Sequence, residues 1–324
     1  MYPIKNIIRS VTRKEDDLLK IITFCEIEEK YNNLLCQTGH EFYLWEENIN
    51  NNWNKLVEDK PDNLLNLPSS DRIYNSYFDL VVCHNRVEQY NVALSVSQAL
   101  HIPLVIIDHC GQEILKPSTI FSTVTTPDIK KLHTLQSLIN VCVHDKLVSA
   151  WPNSSKGSVV INTGIDTDKY KPANVSDEFA IVLDNYIPQS IAQFLAPLNT
   201  YTIMGTDRED RTNVYNLGPV FINTWKNINI KLLEAMACGT IPISIETPEI
   251  HHVIKHNETG FIVKDVDQMI NVIEKVKNNE IRNIQQISQN ARDYVVENHS
   301  MNNFIEKWNQ VFQLATNSFY SRGI

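Results

Sequence analysis

Three stretches of the sequence place groups capable of chemistry where an α/β sheet presents them to a ligand. The first runs from Phe221 to Glu249, FINTWKNINIKLLEAMACGTIPISIETPE. Its apolar start ends at Ile222, and a polar loop from Asn223 to Asn229 carries Lys226. Good helix formers follow from Ile230 to Cys238, with Lys231 and Glu234 among them and Leu233, Met236 and Ala237 at helical spacing. Gly239 stands where a left-handed C-cap belongs, and Thr240 to Ile245 reads as a short buried strand. Strand, loop, helix, glycine and strand make a crossover unit. Its loop falls at the carboxyl end of a strand and the amino end of a helix, where open α/β sheets hold anions.

The other two stretches each end a strand in histidine. FDLVVC, Phe78 to Cys83, runs into His84-Asn85-Arg86, and Leu104 to Ile107 runs into Asp108-His109-Cys110-Gly111. Polar tips on two buried strands describe the edge of a crevice in a parallel sheet. Taken alone, a histidine at such a tip is more often an ordinary hydrogen-bonded residue.

Periodicity supplies the elements that must position these groups. Leu18 to Phe24 reads as the first buried strand, and the loop and helix from Cys25 to Gln37 carry Glu26 and Tyr31. Thr38-Gly39-His40 closes that helix, and Glu41 to Trp45 suits a second strand. Residues 46–76, rich in Asn and broken by Pro61 and Pro68, read as a long loop with room for one short helix. Asn91 to Leu100 is expected as a helix with Val92, Val96 and Ala99 inward, and Leu138 to Val143 and Val159 to Asn162 as strands. A linker is expected from Tyr170 to Asp177; Glu178 to Leu183 then opens a second domain, with Thr200 to Met204 as its next strand. Val266 to Lys277 is an amphipathic helix, and Ile281, Ile284, Ile287, Ala291 and Tyr294 mark another. A last helix from Met301 to Leu314 lines Phe304, Ile305, Trp308, Val311 and Phe312 on one face, a core stripe.

At the other end, Ile4, Ile7, Ile8 and Val11 share a helical face, with Lys5, Arg9, Arg13 and Lys14 mostly off it. Such a segment can lie on an anionic membrane. The expected reading is the plainer one, a helix or extra strand packed on the body.

Composition narrows the classes. A chain of 324 residues accommodates two domains, and 43% hydrophobic with 21% charged residues describes a soluble globular protein. A net charge of −9 repels nucleic acid and anionic membrane, so a phosphate-bearing ligand must be held by local cations or helix termini. The six cysteines form no CxxC pair and read as reduced core residues. No apolar run approaches membrane-spanning length and no signal-peptide core is visible, so the expected compartment is the cytoplasm. Asp166-Thr167-Asp168 and Asp265-Val266-Asp267 are formally DxD, but they read as a turn and a helix cap, and no metal is expected.

LLEAMACGTIPI, Leu232 to Ile243, resembles the donor-site signature of retaining GT-B glycosyltransferases in the family called glycosyl transferases group 1. SVVINTGIDTDKYKP, Ser158 to Pro172, is similar to the family's segment leaving the first domain, and HNETGFIV, His256 to Val263, to its turn and strand after the donor helix. These matches cover roughly residues 158–320. The resemblance implies an α/β GT-B fold, two Rossmann-like domains facing each other across a cleft. The expected division is residues 1–172 as acceptor domain, 173–300 as nucleotide-sugar donor domain, and 301–324 as a helix packing back on the first. It implies a hexosyl-type glycosyltransferase that moves a sugar from a nucleotide sugar to an unknown acceptor hydroxyl, with retention and without metal or other cofactor.

Residue by residue, the resemblance assigns Glu234 to the ribose hydroxyls and His109 to the donor sugar at the reacting centre. His84 matches a neighbouring family histidine, and with Asn85 it is expected to line the acceptor side. Lys226, Asn227, Ile228, Asn229, Ile230 and Lys231 form the expected donor loop, with the diphosphate against the N–H groups from Asn229 to Lys231. There are departures. The family's first glutamate falls on Lys226, its glycines fall on Asn227 and Asn229, and DNYIPQS, Asp184 to Ser190, lacks the usual Arg and Lys. Lys226 or Lys231 is expected to offset those missing cations. The turn after the first strand has no glycine for close backbone approach; Glu26 and Tyr31 are candidates for acceptor contact instead, with a solvated helix face the more ordinary reading. The same departures suit a non-catalytic relative that binds a sugar nucleotide or partner. A sugar-nucleotide epimerase or hydrolase is a third reading.

Overall fold

Leu80–His84 and Leu104–Asp108 are buried along their whole length, as strands are in a parallel sheet covered on both faces. A computed structural model of the chain describes residues 3–14, 16–25, 29–45, 53, 58–67, 73, 76–109, 137–149, 158–173, 179–184, 189–203, 206, 210–223 and 228–321. It has the expected α/β architecture with parallel sheets. Contacts divide it into two compact units, Met1–Thr163 with Phe304–Ile324, and Gly164–Asn303.

The first unit holds β1 (Lys20–Thr23), β2 (Glu41–Leu44), β3 (Leu64–Asn66), β4 (Leu80–His84), β5 (Leu104–Asp108), β6 (Ile139–Cys142) and β7 (Ser158–Val160). They pair in the order β3-β2-β1-β4-β5-β6-β7, and every pair is parallel. The order reverses direction between β1 and β4. β3 lies in the segment expected as loop. Only Leu64 of its three residues is buried, so it shows no alternation to read, and its pairing with Phe42 to Leu44 of β2 is tertiary. The helix expected to begin at Asn91 is Val87–Leu100. It buries Tyr90, Ala93, Val96, Ser97 and Leu100, while Ala99 is exposed and Val92 only half-buried. The inward face is therefore rotated from the one expected.

The last helix, Met301–Ser321, runs beyond Leu314, and its stripe is core as expected. Phe304, Trp308, Val311, Phe312 and Ala315 are buried, with Phe312 against the rings of His40 and Phe42. The N-terminal helix Pro3–Thr12 packs on the body as expected, but by its polar side: Asn6 is buried, whereas Ile4, Ile7, Ile8 and Val11 are all exposed.

In the second unit β8 (Ala180–Leu183), β9 (Asn199–Thr202), β10 (Val220–Asn223), β11 (Ile241–Ile245) and β12 (Phe261–Val263) pair in parallel in the order β12-β11-β10-β8-β9. Alternate residues of one strand serve opposite layers: Val182 and Phe221 join Leu232, Leu233 and Met236 on one side, Ile181, Leu183, Val220 and Ile222 join Met269 and Ile273 on the other. Tyr170 packs in the first of these layers, and Ile165 N–H donates to His299 O at 2.7 Å, so this segment goes with the second unit. Gly239 adopts the left-handed φ of +76° that its C-cap position needs, and Asp265 caps Val266–Lys277 through Gln268 N–H at 2.9 Å. Asp166 Oδ1 accepts from the N–H groups of Asp168 and Lys169, the turn expected there. Cys25, Cys36, Cys83, Cys142 and Cys238 are buried and in no disulfide; Cys110 lies outside the described residues.

Trp308 is fully buried and touches Tyr31, Phe304 and Phe312, so Trp308→Ala is expected to lower unfolding free energy by about 3–5 kcal/mol. Denaturant titration checks this. A loss below about 1 kcal/mol would mean the helix does not depend on that anchor.

Candidate functional site

In the second unit the strand order turns around between β8 and β10, and two loops diverge there. Asp184 follows β8, and Asn223 ends β10 before the chain enters the helix Ile230–Ala237. Asn229 caps that helix in extended backbone (φ −127°, ψ 162°), its Oδ1 accepting from Leu232 N–H at 3.0 Å. Its Nδ2 donates to Asn223 Oδ1 at 3.0 Å, and Asn223 Nδ2 donates to Ser244 Oγ at 3.1 Å. A negative φ explains why asparagine fits where the family has glycine. The cap satisfies the third helical N–H and leaves those of Ile230 and Lys231 without an intrahelical acceptor. The side chains of Ile228 and Ile230 pack on the core, so these two residues offer a ligand only backbone.

Lys231 stands at this end, and the charge of Arg211 reaches it. Lys231 is half-buried and its Nζ donates to Asp184 O at 2.5 Å, tying the helix to the tip of β8. Burial holds its pKa below 10.5, opposed by the Asp184 and Glu234 carboxylates and assisted by the charge of Arg211. Arg211 begins the short helix Arg211–Tyr215, and its buried Nε has no hydrogen-bond partner among the described residues. The sequence reading did not single out Arg211. Nothing in its local pattern marks it, because its neighbours are supplied by the fold.

Glu234, on the same helix as Lys231, is 2% exposed, and its Oε2 accepts from Tyr215 Oη at 2.8 Å. Burial and then the Glu234 carboxylate push the Tyr215 and Tyr170 phenols well above the usual range, so both remain protonated. The two rings meet at 6.1 Å and 69°. Arg292 keeps Tyr170 in place by donating to Tyr170 O at 3.1 Å and to Ala237 O at the end of the Glu234 helix. Tyr215 is another partner that sequence spacing could not identify.

In the first unit three of the expected residues meet at the ends of β1, β4 and β5. Asn32 fixes the helix Glu29–Cys36 to the tip of β1, donating to Phe24 O at 2.9 Å and accepting from Thr23 Oγ1 at 3.1 Å. His84 Nδ1 and His109 Nε2 lie 2.8 Å apart with the rings stacked at 5.0 Å and 29°. One ring must donate and the other accept, so the contact excludes double protonation of both. Tyr31 stands edge-on to His109 at 4.8 Å and to His84 at 5.9 Å. It is buried under Phe304 and Trp308, which corrects the solvated-face alternative, and burial pushes its phenol well up. Asn85 is half-buried beside them, its N–H donating to Ile107 O at 2.8 Å. Glu26, Lys226 and Asn227 lie outside the described residues.

The hydrogen bond to Glu234 gives a direct expectation. Tyr215→Phe should destabilise by about 1.5–3 kcal/mol, the usual worth of a hydrogen bond to a charged group. The loss should shrink when the same change is made in Glu234→Gln, as read by a double-mutant cycle of denaturant melts. Equal losses in both backgrounds would disprove the coupling.

Known proteins agree with this fold. Residues 190–294 match the model of the family glycosyl transferases group 1. No curated protein sequence matches the chain. Among solved structures, Anabaena Alr3699/HepE in complex with UDP-glucose is similar at a TM-score of 0.64 and 13% identity, covering 90% of this chain and 99% of that one. A glycosyltransferase from Rickettsia africae is similar at 0.66 and 13%, covering 95% and 100%. Sucrose-phosphate synthase from Thermosynechococcus elongatus is similar at 0.66 and 12%, covering 94% and 100%. The architecture is the GT-B fold, and within it residues 190–294 are the part that resembles the glycosyl transferases group 1 family.

Proposed function

We propose that this protein transfers a hexosyl group from a nucleotide sugar to an acceptor hydroxyl, with retention and without a metal. The observation that carries the reading is the pairing of an open helix N-terminus with Lys231 and Arg211 at the turning point of the second sheet. The donor diphosphate sits against the N–H groups of Ile230 and Lys231, where the helix end contributes about half a positive charge. Lys231 and Arg211 stand in for the cations missing after Asp184, and so neutralise charge building on the leaving diphosphate. Lys226, in the same loop, remains a candidate third cation. Glu234 takes the ribose hydroxyls on Oε1 while Tyr215 holds Oε2, a division that a two-oxygen carboxylate permits. His109 serves the sugar at the reacting centre, with His84 setting its tautomer and Tyr31 its ring plane. HepE binds UDP-glucose, so a uridine nucleotide is the first donor to test.

The second reading is a non-catalytic relative that binds the nucleotide sugar, favoured by Lys226 standing where the family has glutamate. Thermal unfolding against UDP-, GDP-, ADP- and CMP-sugars, followed by product assay with the donor that binds, separates the two. One nucleotide class is expected to raise the melting temperature. Arg211→Ala and Lys231→Ala should each weaken that nucleotide about tenfold or more. No shift with any donor overturns donor binding; binding without turnover or hydrolysis favours the second reading.

Lys231 also sets a pH dependence. Its folded pKa lies below 10.5, and the charged form is the one that holds a diphosphate. Nucleotide affinity should therefore fall as pH rises through that lowered value, and Lys231→Arg should extend binding to higher pH. Titration calorimetry across alkaline pH checks this. A flat profile would remove Lys231 from the diphosphate site.

A further inference from the structure

We propose that the helix Pro3–Thr12 docks this protein on an anionic lipid surface, with Ile4, Ile7, Ile8 and Val11 in the headgroup–acyl boundary. The four side chains follow the i, i+3, i+4, i+7 spacing of one helical face, and they are 54%, 39%, 54% and 76% exposed. A helix that packs on a water-soluble body turns that face inward. This one is held by its polar side instead. Asn6, almost fully buried, donates to Leu100 O at 2.7 Å and accepts from Phe78 N–H at 3.1 Å. Arg9 donates to Asp17 at 2.9 Å and lies over the Tyr77 ring. Just past the helix, Arg13 donates to Thr316 Oγ1 at 2.8 Å and to Asn317 Oδ1 at 3.1 Å. These bonds fix the helix with its aliphatic stripe pointing outward.

Two more exposed leucines adjoin the anchors. Leu18 is 56% exposed and its carbonyl accepts from Arg9, and Leu314 is 53% exposed one helical turn from Asn317.

Charge selects the occupant. The helix itself carries Lys5 and Arg9 and no carboxylate, and residues 1–17 hold four cations, Lys5, Arg9, Arg13 and Lys14, against Glu15, Asp16 and Asp17, a local excess of positive charge in a chain whose net charge is −9. At physiological salt the field is cut off within about 8 Å, so a surface meeting this helix meets the local charge rather than the net −9, with Lys5 and Lys14 as its exposed cations. A second copy docking by the same face would bring like charges together. An anionic bilayer offers opposite charge and an apolar layer at the depth an amphipathic helix reaches. The helix has ten residues, and no described helix is long and apolar enough to cross a membrane, so the contact is with the surface.

The test is flotation of the full chain with phosphatidylcholine vesicles made with and without phosphatidylglycerol. The chain should float with the phosphatidylglycerol vesicles and only weakly with phosphatidylcholine alone, and raised salt should release it. The double variant Ile8→Ser with Val11→Ser should lower the vesicle partition coefficient about tenfold or more. Its melting temperature should not change, because both side chains are already in water. Lys5→Glu should weaken binding to the anionic vesicles alone. Absence of flotation, or flotation unaltered in the double variant, overturns the proposal. So does a concentration-dependent dimer that the double variant abolishes, which would assign the face to a second copy.

Discussion

A carboxylate at 2% exposure is tolerated only if something donates to it, and the second unit is arranged around that demand at Glu234. Tyr215 supplies the hydrogen bond, and its own ring is fixed between Tyr170 and Phe221. Tyr170 is held in turn by Arg292, which also closes the carboxyl end of the Glu234 helix through Ala237 O. At the amino end the Asn229 cap and the Lys231 contact with Asp184 O fix the helix to both strand tips. The buried Glu234 carboxylate thus lies on a helix whose two ends, and whose tyrosine partners, are each pinned by hydrogen bonds. Lys231, proposed to face a diphosphate, is held by the same arrangement.

The first unit solves a different problem. His84 and His109 share one N–H between them, and the geometry of that contact depends on a wall of aromatic side chains. Tyr31 comes from the helix after β1, while Phe304 and Trp308 come from the far end of the chain. A helix at the carboxyl terminus therefore sets the surroundings of a histidine pair encoded before residue 110. This is why its aromatic stripe, which reads as plain core, bears on the site as well as on stability.

Polar and apolar faces exchange roles at the N-terminal helix. Burying Asn6 is favourable because both of its amide groups find backbone partners, and the arginines reach side chains from two other segments. Those bonds turn the polar side of the helix to the body and leave the isoleucines exposed. The exposed stripe follows from the anchors.

Local energetics made much of this legible in the sequence. Uninterrupted apolar runs announced β4 and β5, and Gly239 and Asp265 were readable as cap residues because φ and a side-chain acceptor are properties of one or two positions. The LLEAMACGTIPI segment carried the family resemblance, and the histidine tips placed His84 and His109 on neighbouring strands. Tertiary structure decided the rest. β3 has too little periodicity to be seen before β2 pairs with it, Tyr215 and Arg211 meet the Glu234 helix only through the fold, and the four-residue stripe of the first helix gives its spacing but not its direction. Spacing along a chain specifies which side chains share a face; which way that face turns is set by partners that arrive from elsewhere in the chain.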